Sequence, residues 1–73
     1  MKTSMIRVYG IVQGVGFRPF VSRTCLEYGI KGTVANRGSY VEILAQGENV
    51  ARLLDKLREN PPERSVILNI INM

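Results

Sequence analysis

The chain has 73 residues, which fits one small domain, and 45% of them are hydrophobic, which favours a globular fold over disorder. The net charge of +4 indicates an attraction to anions. A single cysteine excludes an internal disulfide and favours a reducing compartment, so we expect a cytoplasmic protein. The chain has no histidine and only six scattered carboxylates, which argues against a metal site, and no apolar run approaches the ~20 residues of a membrane span.

The first half of the chain predicts a strand, a helix and a second strand. Residues 5–12 are rich in β-branched and aromatic side chains, as strands are. Residues 18–28 have apolar side chains at helical spacing, and Gly29 is a typical residue to end such a helix. Residues 30–36 predict the second strand. We expect the apolar side chains of the helix, Cys25 included, to lie in the core.

The second half of the chain predicts the same order of a strand, a helix and a strand. A turn over 36–39 precedes a strand over 40–46, in which inward and outward side chains alternate. A second helix over 49–59 precedes two prolines, and a final strand covers 65–72. The order β-α-β-β-α-β predicts a ferredoxin-like α+β fold: a four-stranded antiparallel sheet, right-handed crossovers and both helices on one face.

The residues from Gly10 to Arg18 are rich in glycine and join the first strand to the first helix. Backbone N–H groups of such a turn point inward, and a helix N-terminus adds partial positive charge. Arg18 adds a planar cation whose donors match a phosphate group. The segment therefore predicts a small phosphate site, although the glycines alone would also fit a tight turn with no ligand.

Three blocks resemble the acylphosphatase family. The pattern Gly-x-Val-Gln-Gly-Val-x-Phe-Arg is present over 10–18, Gly-x-Val-x-Asn over 32–36, and the third strand with its terminal glycine over 41–47. Pro19 after the arginine is similar to the acylphosphatase-like N-terminal domain of the hydrogenase-maturation carbamoyltransferases (HypF). The resemblance implies hydrolysis of acyl phosphates or carbamoyl phosphate without a metal or cofactor.

The resemblance also assigns site residues. Arg18 and Asn36 are the expected catalytic residues, with the arginine binding phosphate and the asparagine placing the attacking water. Asn36 has both an acceptor and a donor for a water molecule, but it cannot act as a general base. The expected phosphate-binding residues are Gln13, Gly14, Val15, Gly16, Phe17 and Arg18.

The resemblance carries expectations about context. Acylphosphatases usually have a further strand after 65–72, so we expect an unpaired sheet edge. Either the chain is an N-terminal fragment of a longer one, which we expect, or the protein is a shortened form. The expected partners are then the remaining domains of a maturation enzyme and its maturation partner. Two other functions stay open: a phosphate-binding domain without catalysis, and an RNA-binding module. The third strand lacks the Lys/Arg-Gly-Phe pattern of RNA-recognition motifs, which disfavours the latter.

Overall fold

The computed structural model describes residues 3–14 and 16–73. Its six elements follow the predicted order, β1-α1-β2-β3-α2-β4. Their bounds are β1 Thr3–Ile11, α1 Phe17–Tyr28, β2 Lys31–Asn36, β3 Tyr40–Gln46, α2 Val50–Glu59 and β4 Val66–Asn72. In the described residues, neither helix is long and apolar enough to cross a membrane.

The four strands form one antiparallel sheet in the order β2-β3-β1-β4. In the central pair, Ile6 lies opposite Ile43 and Val8 opposite Val41. All four side chains are almost completely buried. Because side chains alternate along a strand, this register turns one apolar face of β1 and β3 toward the same layer.

Both helices cover that apolar face. Phe17 and Val21 of α1 and Leu53 and Leu57 of α2 are buried in the same cluster as the inward side chains of the sheet. The apolar stripe of α2 recurs every three or four residues, which is the spacing that keeps side chains on one side of a helix. The ferredoxin-like fold predicted from the sequence is confirmed, with the opposite face of the sheet free of helices in the described chain.

The ends of the elements differ from the predictions by one or two residues. β1 begins at Thr3 rather than at residue 5, because Thr3 pairs with Gln46 of β3. β2 begins at Lys31 rather than at residue 30, because the Ile30 N–H donates to the Cys25 carbonyl at the end of α1 (2.8 Å). Gly29 ends α1 in the left-handed conformation (φ 69°), as predicted.

β4 pairs with β1 along one edge of the sheet. Its register with β1 shifts between Tyr9 and Gly10, where the backbones approach so closely that a Cβ on Gly10 would lie 2.1 Å from the Val66 carbonyl oxygen. At the far end, the backbones of Met5 and Met73 exchange two hydrogen bonds (3.1 and 2.8 Å). Among the described residues, β2 and β4 each have one free edge.

Candidate active site

A cavity of about 220 Å³ lies where the β1–α1 loop meets the end of β2. Six of the residues predicted for the site line it: Gln13, Gly14, Gly16, Phe17, Arg18 and Asn36. Val12, Pro19 and Val41 complete the lining. The seventh predicted residue, Val15, lies outside the described residues. The fold therefore brings together two motifs that are about twenty positions apart in the sequence.

Two glycines allow the β1–α1 loop to adopt its backbone conformation. Gly14 (φ 69°) and Gly16 (φ 76°) have left-handed backbone conformations, and Gly16 is the residue that caps the start of α1. A Cβ at either position would meet nothing within 4 Å. The need for glycine here is therefore conformational, since side chains disfavour positive φ even where space is available.

The start of α1 faces the cavity with unpaired donors. The first N–H groups of an α-helix have no partner within the helix, which applies here to Phe17 and Arg18. No acidic residue is present in this first turn, so nothing neutralises the positive end of the helix dipole. The Phe17 ring is buried in the core, so only its backbone is available to a ligand. The Arg18 side chain is exposed and lines the cavity.

Asn36 is the last residue of β2 and lines the same cavity as the loop. Its side-chain oxygen Oδ1 accepts a hydrogen bond from the Gly38 N–H (2.9 Å), which is the usual contact of an asparagine that starts a turn. The amide nitrogen Nδ2 is a second polar group on the same side chain and a potential donor. Asn36 is thus held by its oxygen while its nitrogen can face a ligand or a water.

The two sides of the cavity are joined by a direct contact. The Gln13 side-chain amide Nε2 donates a hydrogen bond to the Gly38 carbonyl, which ties the β1–α1 loop to the β2–β3 turn. The sequence pattern predicted the turn at 36–39 but gave no sign of this contact. Gly38 is the residue that sequence reasoning missed, because a turn signal locates a bend in the chain without locating its neighbours in space.

The charges around the cavity favour an anion. Among the described residues that line it, none is acidic and Arg18 is cationic. Beside Asn36, the Arg37 guanidinium forms an ion pair with Glu42 (3.2 Å) on an exposed surface. The charge of Arg37 is thus matched by a carboxylate, and Arg37 does not line the cavity.

A second cavity, of about 200 Å³, lies between α1 and β2 but has no charged lining among the described residues. Cys25 borders it, and burial raises the pKa of that thiol above its ordinary value. A raised pKa lowers the thiolate fraction at neutral pH and makes the thiol a poor nucleophile. The position of Cys25 agrees with the predicted core role.

The helix-free face of the sheet contains two tyrosines, and an RNA-binding function would require exposed aromatic rings there to stack on bases. The rings of Tyr9 and Tyr40 pack against each other with centroids 5.1 Å apart, and the Arg7 guanidinium lies 5.0 Å from the Tyr40 ring. Both tyrosines are half-buried. Rings that already contact each other and an arginine offer little free surface for stacking a base, which favours a structural role.

The chain matches known proteins over nearly its whole length. The sequence profile of the acylphosphatase family covers residues 4–72. A probable carbamoyltransferase HypF of Methanocaldococcus jannaschii is 48% identical over 64 residues, which are 85% of this chain and 8% of that protein. The crystal structure of acylphosphatase from Bacillus subtilis superposes with a TM-score of 0.93 at 34% identity, covering 100% of this chain and 83% of that one. Full-length HypF in a phosphate- and nucleotide-bound form superposes at 0.86 and 40% identity, over 97% of this chain and 10% of that one.

These matches define the class of protein. The chain belongs to the acylphosphatase family. Its relatives include both acylphosphatases and the N-terminal regions of HypF proteins, as the sequence motifs predicted. The chain spans less than a tenth of the length of the HypF relative from M. jannaschii.

Proposed function

We propose that this domain hydrolyses the carboxyl-phosphate bond of small acyl phosphates or of carbamoyl phosphate. One observation carries the proposal: Arg18, the glycine loop and Asn36 line a single cavity. Any one of these features alone is compatible with a structural role. Together they provide a cation, backbone donors and a polar side chain in one cavity, which is what a phosphoryl group and a neighbouring water require.

The proposed mechanism needs positioning more than proton transfer. The backbone N–H groups of residues 13–18 and the Arg18 guanidinium bind the phosphoryl oxygens and stabilise the charge that develops on them. The Nδ2 group of Asn36 orients a water toward phosphorus. A bond forms between the water oxygen and phosphorus as the bond from phosphorus to the carboxyl oxygen breaks. The carboxylate or carbamate leaves as an anion that needs no proton, and the protons of the water stay on the phosphate product or pass to solvent, so the reaction proceeds without a strong acid or base.

We further propose that the domain serves within a longer carbamoyltransferase that matures nickel–iron hydrogenase in the cytoplasm. The support is the identity to the HypF relative and the similarity to a HypF structure in its phosphate-bound form. The partners would be the remaining domains of that enzyme and its maturation partner. In this setting the same cavity would accept carbamoyl phosphate or retain released phosphate.

The test is a hydrolysis assay with acetyl phosphate and carbamoyl phosphate as substrates and p-nitrophenyl phosphate, a phosphate monoester, as a control. We expect turnover of at least one carboxyl-phosphate substrate by the wild type and its loss in Arg18→Ala. Arg23→Ala is the matched control, since Arg23 is an exposed arginine of the same helix that does not line the cavity.

Two results would change the proposal. If the wild type binds phosphate but cleaves neither substrate, the domain is a binding module and the hydrolase proposal is wrong for this chain. If Arg23→Ala loses activity as strongly as Arg18→Ala, general surface charge accounts for the activity and the cavity is not the site.

A further inference from the structure

We propose that the side chain of Gln13 is a positioning residue that holds Asn36 in place through Gly38. This inference rests on the proposed function of the same cavity. It assigns the side chain of Gln13 a role different from that of its backbone, which belongs to the phosphate loop. Gln13 then acts on the reaction through Asn36 and has no side-chain contact with the substrate.

The inference starts from the two hydrogen bonds of Gly38. Its carbonyl accepts from Nε2 of Gln13, and its N–H donates to Oδ1 of Asn36 (2.9 Å). One glycine therefore connects the loop before α1 to the asparagine at the end of β2. Gly38 has a left-handed backbone (φ 87°), which most other residues would adopt only with strain.

Both residues that Gly38 joins are exposed. An exposed side chain at the end of a strand samples several rotamers unless a contact restricts it. The bond from Gly38 restricts Asn36 by its oxygen, and since the amide group is planar, the direction of Nδ2 is then set as well. The hydrogen bond from Gln13 to the Gly38 carbonyl also restricts movement of the whole turn that contains Asn36 and Gly38.

The contact also restrains two segments that line the cavity. The Gln13–Gly38 hydrogen bond joins the phosphate loop to the turn that begins at Asn36 in the described structure. Reactions that depend on orientation lose rate when the reacting groups shift by about 1 Å. Loss of this link should therefore impair the placement of the water while leaving the phosphate-binding amides in the loop.

The decisive variant is Gln13→Met, which keeps the length of the side chain and removes the donor. Its matched control is Gln46→Met, because Gln46 also donates a side-chain hydrogen bond on the surface, to Oγ1 of Thr3 (2.8 Å), at the opposite end of the sheet. We expect Gln13→Met to lower kcat about threefold, less than the loss of Asn36 itself, and to change the Kd for inorganic phosphate less than about twofold. Gln46→Met should match the wild type in both. Gln13→Asn, which keeps the amide on a shorter side chain, should resemble Gln13→Met.

A double-mutant cycle identifies the route of the effect. If Gln13 acts through Asn36, adding Gln13→Met to Asn36→Ala should cause no further loss of kcat. If the two losses multiply, or if Gln13→Met weakens phosphate binding as much as it lowers kcat, the side chain acts on the ligand or on the loop as a whole. Either result would overturn the inference.

An assay that needs no turnover separates this inference from the proposed function. The Gly38 amide proton should exchange with solvent faster in Gln13→Met than in the wild type, and at the wild-type rate in Gln46→Met. If the wild type hydrolyses nothing, the hydrolase proposal fails while faster Gly38 exchange still supports the link to Asn36. Unchanged exchange in Gln13→Met overturns the link whatever the activity.

Discussion

The two helices of this domain begin in ways that look alike in sequence and differ in what they can do. Each has an arginine in its first turn, Arg18 in α1 and Arg52 in α2, and neither has an acidic residue there. Neither start has a side-chain cap. By charge and by helix dipole alone, both would attract an anion equally.

The starts of α1 and α2 differ in the residues that surround them. α1 follows a loop with two left-handed glycines, and its first residues line a cavity that Asn36 also lines. α2 follows Asn49, whose side-chain amide donates to the Tyr28 carbonyl at the end of α1 (2.9 Å). The polar group before α2 is thus used to join two helices. Under the proposed function, the glycine loop and the cavity shared with Asn36 are what would make the start of α1, and not that of α2, an anion site.

The largest expected effect comes from truncating the two arginines. Arg18→Ala should lower kcat/KM for an acyl phosphate by about 10²–10³-fold, the usual cost of removing a donor that stabilises transition-state charge. Arg52→Ala should leave kcat/KM within about twofold of the wild type, since a solvated cation outside the cavity contributes little. Steady-state kinetics of the two variants measures both, and similar losses in the two would mean that the helix starts are equivalent.

Replacing Arg18 by lysine tests whether charge is sufficient. Lysine keeps the cation but loses the planar fork that binds two phosphoryl oxygens. The loss of one charge-assisted hydrogen bond corresponds to about a tenfold decrease in kcat/KM. We expect an unchanged far-ultraviolet circular dichroism spectrum alongside this decrease. Wild-type kinetics in Arg18→Lys would show that geometry at this helix start is unimportant.

Asn36→Ala tests whether the residue that shares the cavity with the start of α1 acts in catalysis or in phosphate binding. If Nδ2 positions water, kcat should fall roughly five- to tenfold, the value of one neutral hydrogen bond, with little change in the Kd for phosphate. Asn36 also starts the turn to Gly38, so the midpoint of urea unfolding must be measured beside the kinetics. A parallel loss of phosphate affinity in a folded variant would make Asn36 a ligand of the anion.

The smallest expected effect is a change in backbone amide chemical shifts when phosphate is added. Titration with inorganic phosphate should move the backbone amide resonances of Gly14 and of residues 16–18 and leave those of residues 50–52 nearly unchanged, because only the first set lines the cavity. Sodium chloride at matched ionic strength is the control. Equal shifts at both helix starts would indicate non-specific attraction to a protein of net charge +4.

The sequence allowed the elements and their order to be predicted because each has a local signal. The apolar stripe of α2 and the alternation of β3 depend only on neighbouring residues, and both are present as predicted. The first residue of β1 was wrong by two positions because it depends on pairing with Gln46, which lies 43 positions away. The end of a strand depends on the residues with which it pairs, and these cannot be identified from the neighbouring sequence.

The candidate site divides in the same way. The motifs around Arg18 and Asn36 allowed both residues to be placed in one site through the family resemblance. The hydrogen bond between Gln13 and Gly38 could not be predicted, because these two residues meet only after β1, β2 and β3 have paired. The shift of register at Gly10 was equally hidden, since it reflects how closely the β4 backbone approaches that residue.

The hydrogen bonds between Met5 and Met73 have a consequence for where a spectroscopic probe can be attached. They place residue 73 beside the first half of β1, whereas the β1–α1 loop leaves from the other end of β1. A fluorophore at position 73 would therefore lie at the end of the sheet away from the cavity and leave the lining residues unchanged.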